Sequence, residues 1–305
     1  MPLKTLRIAT RQSPLALWQA HFVKIELQRH WPDLSIDLIP MKTSGDKFLS
    51  DTLAAVGGKG LFVKELEQAL LDHRADIAVH SLKDVPAHLP TGLLLGAFLS
   101  REDPRDALVS AYPSLDAMPA GAIIGTASLR RAALIKHYYP QLATAVLRGN
   151  VNSRLNKLAS GVFDGIILAA AGLNRLGLDD QIATILPSEQ FVPAVGQGVL
   201  ALECRIDDPA IQALLLPLHD PATARCVIAE RACNERLGGS CHVPVAAHAT
   251  LHQDTLQLTG LVASVDGTVC LQERLSGPAT DAEQLGFTVA EILLARGAKA
   301  ILEAL

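Results

Sequence analysis

Cys241 stands in the stretch ERACNERLGGSCHVPVA, residues 230–246, directly after Gly238, Gly239 and Ser240. Glycines open turn conformations closed to other residues. A thiol on such a turn can face a cavity instead of packing inside a helix. A second candidate is the Lys83-Asp84 pair in VHSLKDVP, just after a short apolar run. A carboxylate among fixed cations stays ionised, and can steady a developing positive charge or move protons. The alternative reading is a surface ion pair.

The cations are unevenly spread. The chain carries a formal net charge of −4. Residues 121–178 nevertheless hold Arg130, Arg131, Lys136, Arg148, Arg154, Lys157 and Arg175 against the single acid Asp164. Five of these seven cations are arginines, which grip carboxylates in two-pronged fashion and keep their charge when desolvated. A solvated basic face is the plain alternative. Nucleic acid is disfavoured by a pI of about 6.2 and 4% aromatic residues, and by the lack of a nucleic-acid motif. A small polyanion fits better.

Several cations fall where a strand should end and a helix begin. Arg11-Gln12-Ser13, Thr126-Ala127-Ser128-Leu129-Arg130-Arg131 and Arg148-Gly149-Asn150 all have this form. Ligands of open α/β sheets bind at the carboxyl ends of strands, and helix starts favour anions.

The elements that must position these residues follow from the pattern. The chain has 305 residues, 49% of them hydrophobic. Strands are predicted at residues 6–10, 36–41 and 76–81, with helices at 14–29 and 61–71. Such alternation implies parallel βαβ units. The pattern restarts near Asp106, with strands at 122–126, 144–147 and 165–171 and helices at 129–138 and 150–158. Segments 101–104 and 191–198 read as crossings between two α/β domains. The run VLALECRI, 199–206, returns the chain to the first. A helix at 222–237 follows, then a hairpin of 256–265 and 268–275 about Asp266-Gly267, a strong hairpin signal. The last helix is predicted at 281–296. Segment 42–60 reads as a long binding loop or a mobile surface loop.

Cysteines 204, 226, 233, 241 and 270 are odd in number and form no CxxC pair. This argues for a reducing compartment and against a disulfide framework. No apolar run approaches the roughly 18 residues of a bilayer span, so a soluble cytoplasmic protein is expected. The ten histidines show no metal-ligand spacing, and no metal is expected. His80 reads as a packed histidine. His242 adjoins Cys241, but neighbours on an extended segment point to opposite sides. The other four cysteines read as small core residues. Three functions remain open at this point: an enzyme built on Cys241 and Asp84, a two-lobed binding protein for an organic anion, and a cysteine hydrolase or acyltransferase. The last lacks a base near Cys241.

The cysteine stretch resembles the cofactor-attachment motif of the porphobilinogen deaminase family. RIATRQSPLALWQA, VGGKGLFVKELE, DIAVHSLKDVP, REDPRDA, GTASLRR, LRGN, AAGLNRLG and PAVGQG resemble that family too, over residues 7 to 246. The resemblance implies an α/β fold: two domains like type II periplasmic binding proteins, plus a small C-terminal α+β domain. These are expected at 1–100 with 199–218, at 101–198 and at 219–305.

The implied activity is a transferase that deaminates four porphobilinogen molecules and joins them head to tail on a dipyrromethane primer. Hydroxymethylbilane and ammonia are released. The primer is expected as a thioether on Cys241. The catalytic positions match Asp84 and Lys83. Cofactor-binding positions match Ser13, Lys83, Thr126, Ser128, Arg130, Arg131, Arg148 and Gly149. Substrate-binding positions match Arg11, Arg148, Arg154, Arg175, Lys59 and Phe62. Ala127 departs from the more usual serine. A monomer is implied, with no nucleic acid, membrane or obligate protein partner.

Overall fold

The computed structural model describes residues 5–47, 62–238 and 243–304. Its contacts divide the chain into two compact units, Met1–Arg101 with Val199–Ala224, and Glu102–Gly198 with Arg225–Leu305. The chain thus passes between the units three times, after Arg101, after Gly198 and after Ala224.

Unit 1 is built on strands β1 (Thr5–Arg11), β2 (Ser35–Met41), β3 (Ile77–Ser81) and β4 (Leu93–Phe98). A returning strand, Leu200–Arg205, completes the sheet. In chain order this strand is β10, and it lies between β3 and β4, antiparallel to both. β1 runs parallel to β2 and β3. Successive side chains of a strand point to opposite faces. One face of this sheet, carrying Leu6, Ile8, Ile77, Val79, Leu200 and Leu202, packs on helix α1 (Pro14–His30) through Ala20, Val23 and Leu27. The other face carries Ala9 and Ala78 and packs on Leu66 and Leu70. Those leucines belong to α3 (Lys64–Leu71), which follows the short α2 (Ser44–Lys47).

Unit 2 repeats the plan with β5 (Asp106–Ser110), β6 (Ile123–Gly125), β7 (Ala143–Ala145), β8 (Gly165–Ala169) and β9 (Thr184–Ile185). Their order is β7-β6-β8-β5-β9, with β5 antiparallel to β8. Helices α4 (Leu129–Tyr138), α5 (Val151–Ala159) and α6 (Ala170–Arg175) accompany them. In each sheet the strand next to a crossing, β10 or β5, is the antiparallel insert. The two-lobe α/β plan implied by the resemblance is therefore present, as is the small C-terminal domain.

After α7 (Pro209–Leu215) and α8 (Pro221–Arg236), that domain forms an antiparallel sheet of β11 (Val245–His252), β12 (Thr255–Ala263) and β13 (Cys270–Pro278). Helix α9 (Ala282–Leu293) packs on β12 and β13. The predicted hairpin is β12–β13. Strand β11 was not predicted, because VAAHATLH offers only small or polar residues between its apolar ones. Ala246, Leu261 and Ala263 join Leu134 and Ile135 in one core, so this sheet and α4 pack together within unit 2.

Other bounds also moved. Helix α3 begins at Lys64, after the predicted start at 61. Strand β8 ends at Ala169, where α6 begins. Strands β4, β5 and β9 were not predicted. Among the described residues no helix is long and apolar enough to cross a membrane.

Candidate active site

All three predicted strand-to-helix junctions are present and capped. Ser13 is the N-cap of α1, and its hydroxyl accepts from Ala16 N at 3.4 Å. Pro14 takes the first helical position, where a missing N–H costs nothing. Ser128 caps α4, accepting from Arg131 N at 3.4 Å, and Thr126 Oγ1 accepts from Ser128 N at 3.2 Å. Asn150 Oδ1 caps α5 by accepting from Ser153 N at 2.9 Å. Gly149, just before, has φ +121°, and a Cβ there would lie 2.1 Å from Ser153 Oγ. Only glycine fits that junction.

In unit 1 the junction lines a pocket. An open depression is bounded by Arg11, Ser13, Phe62, His80, Lys83 and Asp84, with Gln19 and Ser81. Arg11 ends β1, and its guanidinium stands over the Phe62 ring, 4.3 Å from the centroid. Such stacking holds a cation in place without using its hydrogen-bond donors. Lys83 and Asp84 occupy a 3₁₀ turn, Leu82–Asp84, directly after β3. The turn is anchored by Leu82 N donating to Val199 O at 3.0 Å. Ser81 Oγ accepts from Gln19 Nε2 of α1 at 2.9 Å, which ties the same strand end to the helix beside Ser13. A carboxylate, an ammonium and a guanidinium thus share one concave surface at a sheet's carboxyl edge.

His80 is a buried histidine, as expected, and its partner is buried too. The His80 Nε2 lies 2.8 Å from Glu203 Oε2.

In unit 2, Arg130 and Arg131 converge on Asp106. Arg130 Nη1 lies 2.9 Å from Asp106 Oδ2, and Arg131 Nη2 2.7 Å from Asp106 Oδ1. Arg131 Nη1 also donates to Ile167 O, and Arg130 Nη1 to Val192 O. Gln197 Nε2 donates to Asp106 Oδ1 at 2.8 Å. Burial raises the Asp106 carboxyl, but the charges of Arg130 and Arg131, then their hydrogen bonds, outweigh it and hold it below the usual carboxylate range. Both arginines are almost fully buried, so their first task is to brace this junction. The Nε of Arg130 is buried without a hydrogen-bond partner among the described residues.

Arg148 and Arg154 are half-buried around the Gly149 junction, and Arg154 Nε donates to Gly149 O at 2.8 Å. Arg175, at the end of α6, donates from Nη2 to Gly198 O at 2.7 Å. Burial lowers its pKa to about 10, opposed by the charge of Glu102. Among the other thiols, burial pushes Cys204 up to about 11 and, with the charge of Glu230, Cys233 up to about 12. Cys226 is buried as well. Lys59, Cys241, His242 and residues 48–60 lie outside the described residues.

Sequence reasoning missed Asp106, Glu203 and Glu67. Each left a signal. Asp106 is the last acid of REDPRDA, a motif that does not itself say which of its charges is buried. Glu203 is the only acid in VLALECRI. Glu67 shares the helical spacing of Val63, Leu66 and Leu70, so it lies on the buried stripe of α3.

Among solved structures, the VFT2 domain of BvgS from Bordetella pertussis is 16% identical, covering 70% of this chain and 85% of its own, with a TM-score of 0.41. The alkanesulfonate-binding protein SsuA from Xanthomonas axonopodis pv. citri, solved with MOPS, is 13% identical over 75% of each chain, with a TM-score of 0.40. The aliphatic sulphonate binding protein SsuA from Escherichia coli is 11% identical over 76% and 70%, with a TM-score of 0.41. Family comparison is far more specific. Residues 6–213 match "Porphobilinogen deaminase, dipyromethane cofactor binding domain", and residues 224–295 match "Porphobilinogen deaminase, C-terminal domain". Those two matches take in nearly the whole sequence, and the chain belongs to the porphobilinogen deaminase family.

Proposed function

We propose that Asp84 is the catalytic group of this transferase, with Lys83 beside it. The family's activity is that of hydroxymethylbilane synthase, which joins porphobilinogen units and releases ammonia. The observation that carries the residue assignment is the shared pocket of Asp84, Lys83, Arg11 and Ser13. The Asp84 carboxylate accepts from pyrrole N–H groups and steadies the positive charge that develops on the methylene as ammonia leaves. This is stabilisation by a charge fixed in advance. Arg11 holds a substrate carboxylate, with Phe62 fixing the guanidinium. Arg148, Arg154 and Arg175 serve the same purpose, and Lys59 is assigned with them from the family motif. Orientation by these cations lowers the entropic part of the barrier.

The chain's donors suit the dipyrromethane cofactor, whose rings carry carboxylates. Arg130 Nε is a buried donor with no hydrogen-bond partner among the described residues. Thr126 and Ser128 bring hydroxyls to the same junction, and Gly149 lets backbone approach closely. By the family motif, Ser13 and Lys83 of unit 1 and Arg131 and Arg148 of unit 2 are assigned to the cofactor as well. When bound, the cofactor supplies the pyrrole end to which the first unit is joined. Cys241 is its anchor, through a thioether. The GGSC motif and four thiols otherwise kept in or near the core support this choice. The protein works as a monomer in the cytoplasm, with no partner required.

The test is the mass of the intact purified protein, together with conversion of porphobilinogen to hydroxymethylbilane. One dipyrromethane above the sequence mass is expected, lost in Cys241→Ser. An active protein of unmodified mass would overturn the anchor assignment. A binding protein without chemistry is not favoured, since both enzyme domains match.

A further inference from the structure

The face of the unit 1 sheet that packs on α3 carries a buried polar cluster. His80 of β3 and Glu203 of β10 project from this face, which Ala9 and Ala78 also line. Their strands are antiparallel neighbours, with Ala201 opposite His80 and Glu203 opposite Ala78. His80 and Glu203 are thus diagonal neighbours on one face, within reach of each other. His80 Nε2 meets Glu203 Oε2 at 2.8 Å. Glu67 comes from α3, on its buried stripe, 7% exposed. The second carboxylate oxygen of Glu203, Oε1, is buried with no hydrogen-bond partner among the described residues. A buried acceptor without a donor is costly. His80 also lines the Asp84 pocket. The cluster therefore begins beneath the sheet and ends at the pocket wall.

We propose that Glu67, His80 and Glu203 form a buried proton store that opens on the Asp84 pocket through the His80 ring. The store lends a proton to the leaving amine nitrogen of each porphobilinogen and recovers one from the carbon at which the new bond forms. In the balance, the C–N bond breaks with its electron pair on nitrogen, which departs as ammonia carrying the lent proton. A C–C bond forms, and the displaced C–H proton refills the store. No net proton is consumed, and no oxidant or reductant is involved. The proposal rests on the porphobilinogen-joining reaction above.

The surroundings support a carboxyl that titrates near neutrality. Burial and then the charge of Glu203 push Glu67 up to about 7, against the pull of His80. Helix α3 packs on β1, β3, β4 and β10. On β1, Arg7 is paired with Asp76 and Arg11 is stacked on Phe62. Strand β4 carries no charge. On β10, Arg205 donates to Leu70 O and Ala75 O and pairs with Asp208. On α3 itself, Lys64 lies outward and Glu65 accepts from Ser44 N and Oγ. His80 is therefore the basic side chain that meets the acids of the cluster.

The test uses the full chain, cofactor loaded, as wild type and Glu67→Gln. The amide keeps the shape of the side chain but cannot titrate. Expected are unchanged cofactor mass and melting temperature, KM within about twofold, and kcat lower by about tenfold or more. The ionisation near 7 should vanish from the kcat–pH profile. A variant with the wild-type kcat and pH profile would overturn the store. A second readout needs neither turnover nor a variant. Infrared titration of wild type should show a protonated carboxyl band that disappears within about one unit of pH 7. A wild type without such a band overturns the proposal even if Glu67→Gln does not fold. Failure of wild type to make hydroxymethylbilane would instead overturn the reaction assignment, so the two failures are separate.

Discussion

Asp106 Oδ1 accepts two hydrogen bonds from Arg131, from Nε at 3.1 Å and from Nη2 at 2.7 Å, with both side chains out of solvent. Arg130 takes the other carboxylate oxygen. One acid thus fixes two adjacent guanidinium groups at the start of α4. Asp106→Asn keeps the shape but leaves two cations buried around a neutral amide. The expected cost is about 3–5 kcal/mol, the range for breaking a buried ion pair by removing one partner. Chemical denaturation measures it. A loss under about 1 kcal/mol, typical of a surface pair, would show that the cluster is not a brace. Since Asp106 is held below the ordinary carboxylate range, its stabilisation is complete above that range. It is lost as pH falls through the folded-state value. The acid limb of the stability profile should therefore flatten in Asp106→Asn.

Asp84→Asn separates chemistry from folding. Asp84 is half-buried in a surface turn, so the melting temperature and the cofactor mass should stay near wild type. Turnover should fall by about 100-fold or more, the size expected when a fixed charge facing the reacting centre is removed. Steady-state kinetics on the loaded variant gives the answer. A drop of less than about tenfold, or roughly 1.4 kcal/mol of barrier, would remove Asp84 from the centre of the mechanism.

Alkylation of the native protein distinguishes the anchor from the remaining thiols. Cys204, Cys226 and Cys233 are buried, and burial raises Cys204 to about 11 and Cys233 to about 12. Thiols in that state are poor nucleophiles at neutral pH. Iodoacetamide should leave these three unmodified until the protein is unfolded. Cys241 should gain no label in wild type, where the thioether occupies its sulfur. Peptide mapping that finds Cys241 labelled in the active enzyme would place the cofactor elsewhere.

Gly149→Ala probes the third junction. The residue has φ +121°, and a Cβ would meet Ser153 Oγ at 2.1 Å. Trimming the neighbour in Gly149→Ala/Ser153→Ala removes the clash but not the strained φ. Both variants should lose stability, by about 1–3 kcal/mol for the backbone alone, with the single variant worse. Because Gly149 lies between Arg148 and the cap Asn150, KM for porphobilinogen should rise as well. Wild-type stability in the single variant would mean that the LRGN turn accepts a side chain.

Much of this site is legible in the amino-acid sequence, because its signals are local. Ser13-Pro14, Ser128 and Asn150 are caps, and caps are written in two or three consecutive residues. Lys83-Asp84 follows an apolar run that fixes its place at the strand end. What escaped is non-local. The Arg130–Asp106–Arg131 cluster joins residues about 25 positions apart, across a strand, β5, whose hydrophobic run is short. The His80–Glu203 pair spans 123 positions and exists because the chain leaves unit 1 and comes back as β10. Periodicity can place each acid on a buried face. It cannot say which histidine or arginine will meet it there.

The Glu67 carboxyl carries a stability signature of its own, opposite in sign to that of Asp106. Its folded-state pKa is raised to about 7, above the unfolded value of about 4.3. Between these two values the native state binds more protons than the unfolded chain. Stability therefore falls as pH rises across that window and levels off above about 7, where both states are ionised. Asp106 is fully ionised in both states there and adds no slope. Denaturation midpoints of wild type should decline from about pH 5 to pH 8, and Glu67→Gln should remove most of that decline while leaving the acid limb intact. A profile equally steep in wild type and Glu67→Gln would mean that Glu67 is already ionised at pH 5.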